Sequence, residues 1–166
     1  PSIQPPVCKA ITQDSPWLLK QGVRGNRMLM YPLEQWWNHG LNAWLGICFY
    51  YADRDPFGFL EDYCVHYFGP AAEPMLEYYT ILSNELWLSY FCCGPRWVEP
   101  DRVDLSVIEK AGVFLDRLDL LIADAQALAH EGIYAYRLSR AGHQYRVLSV
   151  MGRAAIANHL LSLDVG

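Results

Sequence analysis

At 166 residues, with 52% hydrophobic and 19% charged residues, the chain has the length and apolar content of one ordinary domain with a substantial core. A formal net charge of −5 and a pI near 5.4 supply neither the basic stripe that nucleic acid requires nor a cationic surface for an anionic membrane. The cysteines, Cys8, Cys48, Cys64, Cys92 and Cys93, include no C-x-x-C pair and no Cys/His set with zinc-closing spacing, so they read as buried or half-buried free thiols.

The opening stretch, PSIQPPVCKA, is Pro-rich and irregular, and residues 1–13 are expected to lack regular structure. Without an initiator Met or an apolar leader, the start is expected to be a cut from a longer protein. A short helix follows, capped by Asp14 or Ser15, with Pro16 at its first position and Gly22 as its stop. VRGNRMLMY then reads as a strand or an extended loop. The spacing of Leu33, Trp37, Leu41, Trp44, Leu45 and Cys48 predicts a helix over 32–51. Its most apolar run is about 12 residues, short of the roughly 20 that span a bilayer.

Asp55 caps the next predicted helix and Pro56 takes its first position. Phe57, Leu60, Cys64 and Phe68 form its stripe, with Tyr63 and Tyr67 alongside and Glu61, Asp62 and His66 off it. Gly69 and Pro70 end it. A further helix starts at 71–73, tolerates Pro74 in its first turn, buries Met75, Tyr78, Tyr79, Leu82 and Leu86, and reaches Tyr90. CCGPRWVEPDRVD is a connector. Ser106 and Glu109 match a capping box, and Val113, Phe114, Leu118, Leu121, Ile122, Ala125 and Leu128 continue a stripe. After Gly132 a last long helix carries Tyr145, Leu148, Met151, Ala155 and Leu160 as apolar positions. No strand-type alternation follows Tyr31. The predicted fold is therefore mainly α, a helical bundle over 32–166 with antiparallel neighbours, preceded by an irregular segment over 1–31.

Glycoside hydrolysis needs two carboxylates flanking the scissile bond. Glu61/Asp62, Glu73/Glu77 and Asp116/Asp119 are available, but each pair falls on the polar face of a predicted helix, where solvation opposes the raised pKa of a catalytic acid. The five histidines are scattered, with no H-E-x-x-H arrangement, no G-x-S-x-G elbow accompanies them, and no phosphate-cradling glycine loop or other cofactor motif occurs. Arg137, Arg140, Arg146 and Arg153 form a broken basic band on the last helix. Glu109, Asp116, Asp119 and Asp124 precede it, and ion pairing between the two helices accounts for both. In NRMLMYPLEQWWNHGLNAW, Trp37 and Trp44 fit one helix face, whereas Tyr31 and Trp36 do not.

The stretch LNAWLGICFYYADRDPFGFLEDYCVHYFGPAAEPMLEYYTIL resembles a segment of bacterial glycosidase-like proteins of uncharacterised function. In that family a TIM barrel, similar in style to alpha-glucuronidases and hexosaminidases, is followed by a helical domain. The family pattern looks like Ala52-Asp53-Arg54-Asp55, then Phe59-Leu60-Glu61-Asp62-Tyr63-Cys64, then Phe68-Gly69-Pro70-Ala71-Ala72-Glu73-Pro74-Met75 through Tyr78-Tyr79. The match covers about a quarter of the chain. The resemblance implies a glycosidase-type parent whose acid and base lie on barrel strands ahead of this chain, so no catalytic residue is carried over. It also makes LLKQGVRGNRMLMY the end of such a barrel. Residues just after a last barrel strand at 23–29 lie at the rim where active sites gather, which makes Arg27, Tyr31 and Trp36 the candidate substrate contacts.

The resulting expectation is the helical C-terminal part of a carbohydrate-active enzyme. Its partners are the preceding TIM barrel, a carbohydrate at the cleft edge and a second copy in a homodimer; nucleic acid, membrane, metal and cofactor are not expected. The alternative is a stand-alone helical interaction or ligand-binding module without catalysis.

Overall fold

The computed structural model describes residues 8–23, 41, 55–85 and 105–163. Among them the regular structure is helical, with no strands: α1 (Cys8–Lys20), α2 (Pro56–Phe68), a single 3-10 turn (Gly69–Ala71), α3 (Ala72–Asn84), α4 (Leu105–Leu128) and α5 (Gly132–Leu163). The predicted mainly-α bundle is what the chain forms. Of the expected 32–51 helix, only Leu41 belongs to the described residues; it is helical and fully buried.

The boundaries of α2 follow its sequence signals closely. Asp55 is extended at φ −81, ψ 112, and its carboxylate accepts from the Phe57 and Gly58 amides at 3.0 and 3.1 Å. Two of the first-turn donors that lack partners inside a helix are thereby satisfied. At the other end Gly69 has φ +55 and donates its amide to the Val65 carbonyl, and Pro70 turns the chain into α3. Leu60, Cys64 and Phe68 are fully buried, and Phe57, Tyr63 and Tyr67 are half-buried beside them, as the spacing predicts. In α3, Pro74 sits in the first turn, where its missing N–H leaves no intrahelical bond unmade, and Met75, Tyr78, Tyr79 and Leu82 are buried.

Consecutive helices are spatial neighbours: α2 packs on α3, α3 on α4 and α4 on α5, with α1 lying against α2 and α3 and with α5 also reaching α2. The core is one cluster to which α1 to α5 all contribute. Leu115, Leu118 and Ala125 of α4 meet Leu138, Tyr145 and Leu148 of α5 there, together with the aromatic residues of α2 and α3.

Several expectations need correction. α1 starts at Cys8, well ahead of the expected Asp14 or Ser15 cap, and carries Pro16 inside it. Tertiary anchors outside the local sequence hold the early turns: the buried Cys8 thiol lies 3.5 Å from the Pro56 carbonyl, and the Lys9 amide donates to the Ser83 hydroxyl at 3.4 Å. α3 ends at Asn84 rather than Tyr90, because Glu85 at φ −107, ψ 56 leaves the helical region. α4 begins at Leu105, so Ser106 lies inside the first turn rather than at the cap. Val113 and Leu128, placed on the stripe of α4, and Met151 and Leu160, placed among the apolar positions of α5, are exposed.

Candidate functional site

Among the described residues, a group of aromatic and cationic side chains gathers where the end of α2 meets the start of α5. Tyr63 and Tyr67, one turn apart, stack with ring centroids 4.9 Å apart and planes 14° from parallel. Arg137 of α5 places its guanidinium 4.4 Å from the centroid of Tyr67 and 5.9 Å from that of Tyr134. The same guanidinium donates to the carbonyls of His66 and Tyr67, at 3.3 and 2.9 Å. A cation at the carbonyl-rich end of α2 answers both the unpaired acceptors and the negative pole of the helix. Tyr134 closes the junction from the other side: a Cβ on Gly69 would lie 2.6 Å from its ring.

These rings are spent on joining helices. Tyr67 has Tyr63 and Arg137 against it, and its edge meets Phe68 at 5.0 Å. Behind it, Tyr79 lies 6.3 Å from Tyr63 and 5.1 Å from Tyr78, and Tyr78 reaches Tyr145 of α5 at 6.2 Å. The chain of edge and face contacts runs through α2, α3 and α5, in the offset geometries aromatic quadrupoles favour. The Tyr145 hydroxyl donates to the Leu115 carbonyl of α4 at 2.9 Å, giving its polar tip a partner inside the core. Burial pushes the phenols of Tyr63 and Tyr79 far above their ordinary range, with neighbouring tyrosines adding to the effect. Burial, joined by Asp119, does the same to Tyr145. The Cys64 thiol is pushed up to about 12 by burial and by Cys8, which keeps it in the unreactive protonated form.

The carboxylates considered for acid/base chemistry are on the surface. Glu61 and Asp62 are exposed, and Asp62 faces His66 at 3.2 Å one turn on. Glu77 of α3 holds Arg117 of α4 in a two-pronged pair with both contacts at 2.6 Å. Asp116 and Asp119 of α4 converge on Arg153 of α5, at 2.9 and 2.5 Å. The expected α4–α5 ion pairing is therefore present at Arg153, whereas Arg137 caps backbone carbonyls instead. No group of three or more His, Cys, Asp or Glu side chains with metal-holding geometry occurs among the described residues. No helix among them is long and apolar enough to cross a membrane.

Arg27, Tyr31 and Trp36, the candidate substrate contacts, lie outside the described residues, as do Trp37 and Trp44. The Arg137 junction was not legible as a unit, because its acceptors are main-chain carbonyls that every residue carries. The one available signal was Gly69 before Pro70, which marks a helix end in need of a cap. No protein-family model matches the chain, and comparison with curated proteins and with solved structures likewise gives no match.

Proposed function

We propose that the chain is the helical C-terminal part of a carbohydrate-active enzyme of the glycoside-hydrolase type, supporting a preceding TIM barrel and forming one edge of its substrate cleft. The observation that carries this reading is the use made of the segment that bears the family resemblance. Its rings, Tyr63, Tyr67, Phe68, Tyr78 and Tyr79, join helices to one another, while its acids Glu61 and Asp62 are exposed and Glu77 is held by Arg117. A catalytic acid needs a dry pocket, and a retaining or inverting pair needs two carboxylates facing one bond. In this reading the barrel supplies that pair, and Arg27, Tyr31 and Trp36 contact the sugar from the rim.

The coding sequence upstream decides the architecture: the proposal expects roughly 200 or more residues of alternating strand and helix patterns there. In a protein extended to include them, hydrolysis of aryl glycosides should survive Glu61→Gln, Glu77→Gln and Asp119→Asn, while Trp36→Ala should raise KM. Hydrolysis by this chain alone, abolished by one of those carboxylate substitutions, would overturn the reading. The second reading, an interaction module without catalysis, draws on the exposed apolar residues of α5, among them Val150 and Leu161. A Met start just upstream would favour it.

A further inference from the structure

α5 carries two apolar seams. The inner one, Leu138, Ala141, Tyr145 and Leu148, is buried in the bundle. The outer one lies on the opposite side of the helix. Its positions, 133, 136, 140, 143, 147, 150, 154, 157 and 161, alternate steps of three and four, which is the a/d spacing of a helix meant to meet another helix. At 1.5 Å per residue this seam is about 42 Å long. Val150, Leu161, Tyr136 and Ile133 on it are 70, 63, 57 and 54% exposed, so no other part of the described residues covers them.

We propose that this outer seam is a self-association surface that pairs with the α5 of a second copy, antiparallel, about a two-fold axis near residues 148–149. The choice of partner follows from how the seam matches itself. In an antiparallel pair each a position sits beside a d position of its neighbour. The register centred on Val147, which is half-buried and also packs against the bundle core, and on the exposed Val150 sets these two residues against each other across the axis, an apolar centre. Moving outward, His143 meets Ala154, Arg140 meets Ala157 and Tyr136 meets Leu161, so His143 and Arg140 each lie over an alanine and Tyr136 over an apolar side chain. A parallel pair sets Arg140 against Arg140 and His143 against His143, and loses that match.

Charge on the flank agrees. Arg146, exposed and with no carboxylate partner among the described residues, comes opposite Arg153 of the second copy. Arg153 is already held by Asp116 and Asp119, so the group Arg146 approaches carries two negative charges against one positive. The pairing depends on the seam and this flank alone, whatever the parent enzyme acts on.

Sedimentation velocity of the chain over a concentration series tests it. The unaltered chain should dimerise reversibly at micromolar to tens of micromolar concentration. Val150→Glu, at a position already open to solvent, should leave it helical by circular dichroism and monomeric. Arg146→Glu should weaken association by about tenfold or more. The decisive variants are Ala154→Trp, expected to block the dimer by overfilling the space beside His143, and the same change with His143→Ala, expected to restore it. A wild type that stays monomeric, association indifferent to Ala154→Trp, or a block that His143→Ala fails to lift overturns the proposal.

Discussion

At Gly69 the backbone sits at φ +55, and an added Cβ falls 2.6 Å from the Tyr134 ring. Both effects oppose any other residue, so Gly69→Ala should destabilise the fold by about 2 kcal/mol or more in urea unfolding. Adding Tyr134→Ala should recover the steric share and leave the backbone share; full recovery would mean that the turn itself is unstrained. The buried thiol and phenols act at the same scale through pH. An unfolded Cys titrates at about 8.5 and an unfolded Tyr at about 10. In the fold Cys64 is held up to about 12 by burial and by Cys8, and Tyr63 and Tyr79 are pushed well above their ordinary range. As pH rises the unfolded chain releases these protons first, so the native state holds more protons and stability falls. The contribution is complete below about pH 8.5 and declines above it, more steeply beyond about pH 10. Melting temperatures from pH 7 to 11 check this, and Cys64→Ala should flatten the first part of the decline.

Among the elements, α1 contains its own weak points. Pro16, inside the helix, has no N–H to give the Thr12 carbonyl. Beside it the Ser15 hydroxyl is buried without a hydrogen-bond partner among the described residues. A buried polar group left unpaired costs about 1–3 kcal/mol, so Ser15→Ala should raise stability by about 1 kcal/mol, against the usual direction for a core substitution. A loss in chemical denaturation would mean that the hydroxyl is satisfied in solution. These features also explain which elements could be read in the sequence. α2 carries a cap, a first-position proline, one apolar stripe and a Gly-Pro stop, so both ends and its buried face were legible. The start of α1 is not legible in the sequence, because its early turns depend on Pro56 and Ser83, distant along the chain. In α5 the apolar positions are visible in the sequence, but they do not separate the buried Tyr145 and Leu148 from the exposed Met151 and Leu160, because one helix holds apolar residues on more than one side. Arg137 escaped for a different reason, since a residue that caps carbonyls has no complementary side chain to identify it.

For the whole molecule, the pattern of contacts sets an order of opening. α2, α3 and α4 form a continuous sequence of neighbours tied by the largest fully buried side chains, Tyr78, Tyr79, Phe68, Leu60, Met75, Leu115 and Leu118. Among the described residues, hydrogen bonds from the buried Cys8 thiol to Pro56 and from the Lys9 amide to Ser83 tie α1 to them. It also loses one helical hydrogen bond at Pro16 and buries a Ser15 hydroxyl that has no partner among the described residues. Its outward side chains, Trp17 at 60% and Leu19 at 50% exposure, gain little from burial. α1 is therefore expected to open independently, at a lower free energy than the rest. In native-state hydrogen exchange its amides should exchange through a sub-global opening, while those of α3 and α4 should exchange only with global unfolding and share its denaturant dependence. Ser15→Ala should raise the opening free energy of α1 and leave the slowest amides of α3 and α4 less affected. Exchange of α1 at the same free energy as α3 would show that the helix is an inseparable part of the core, and that its two local defects are offset by contacts along its whole length.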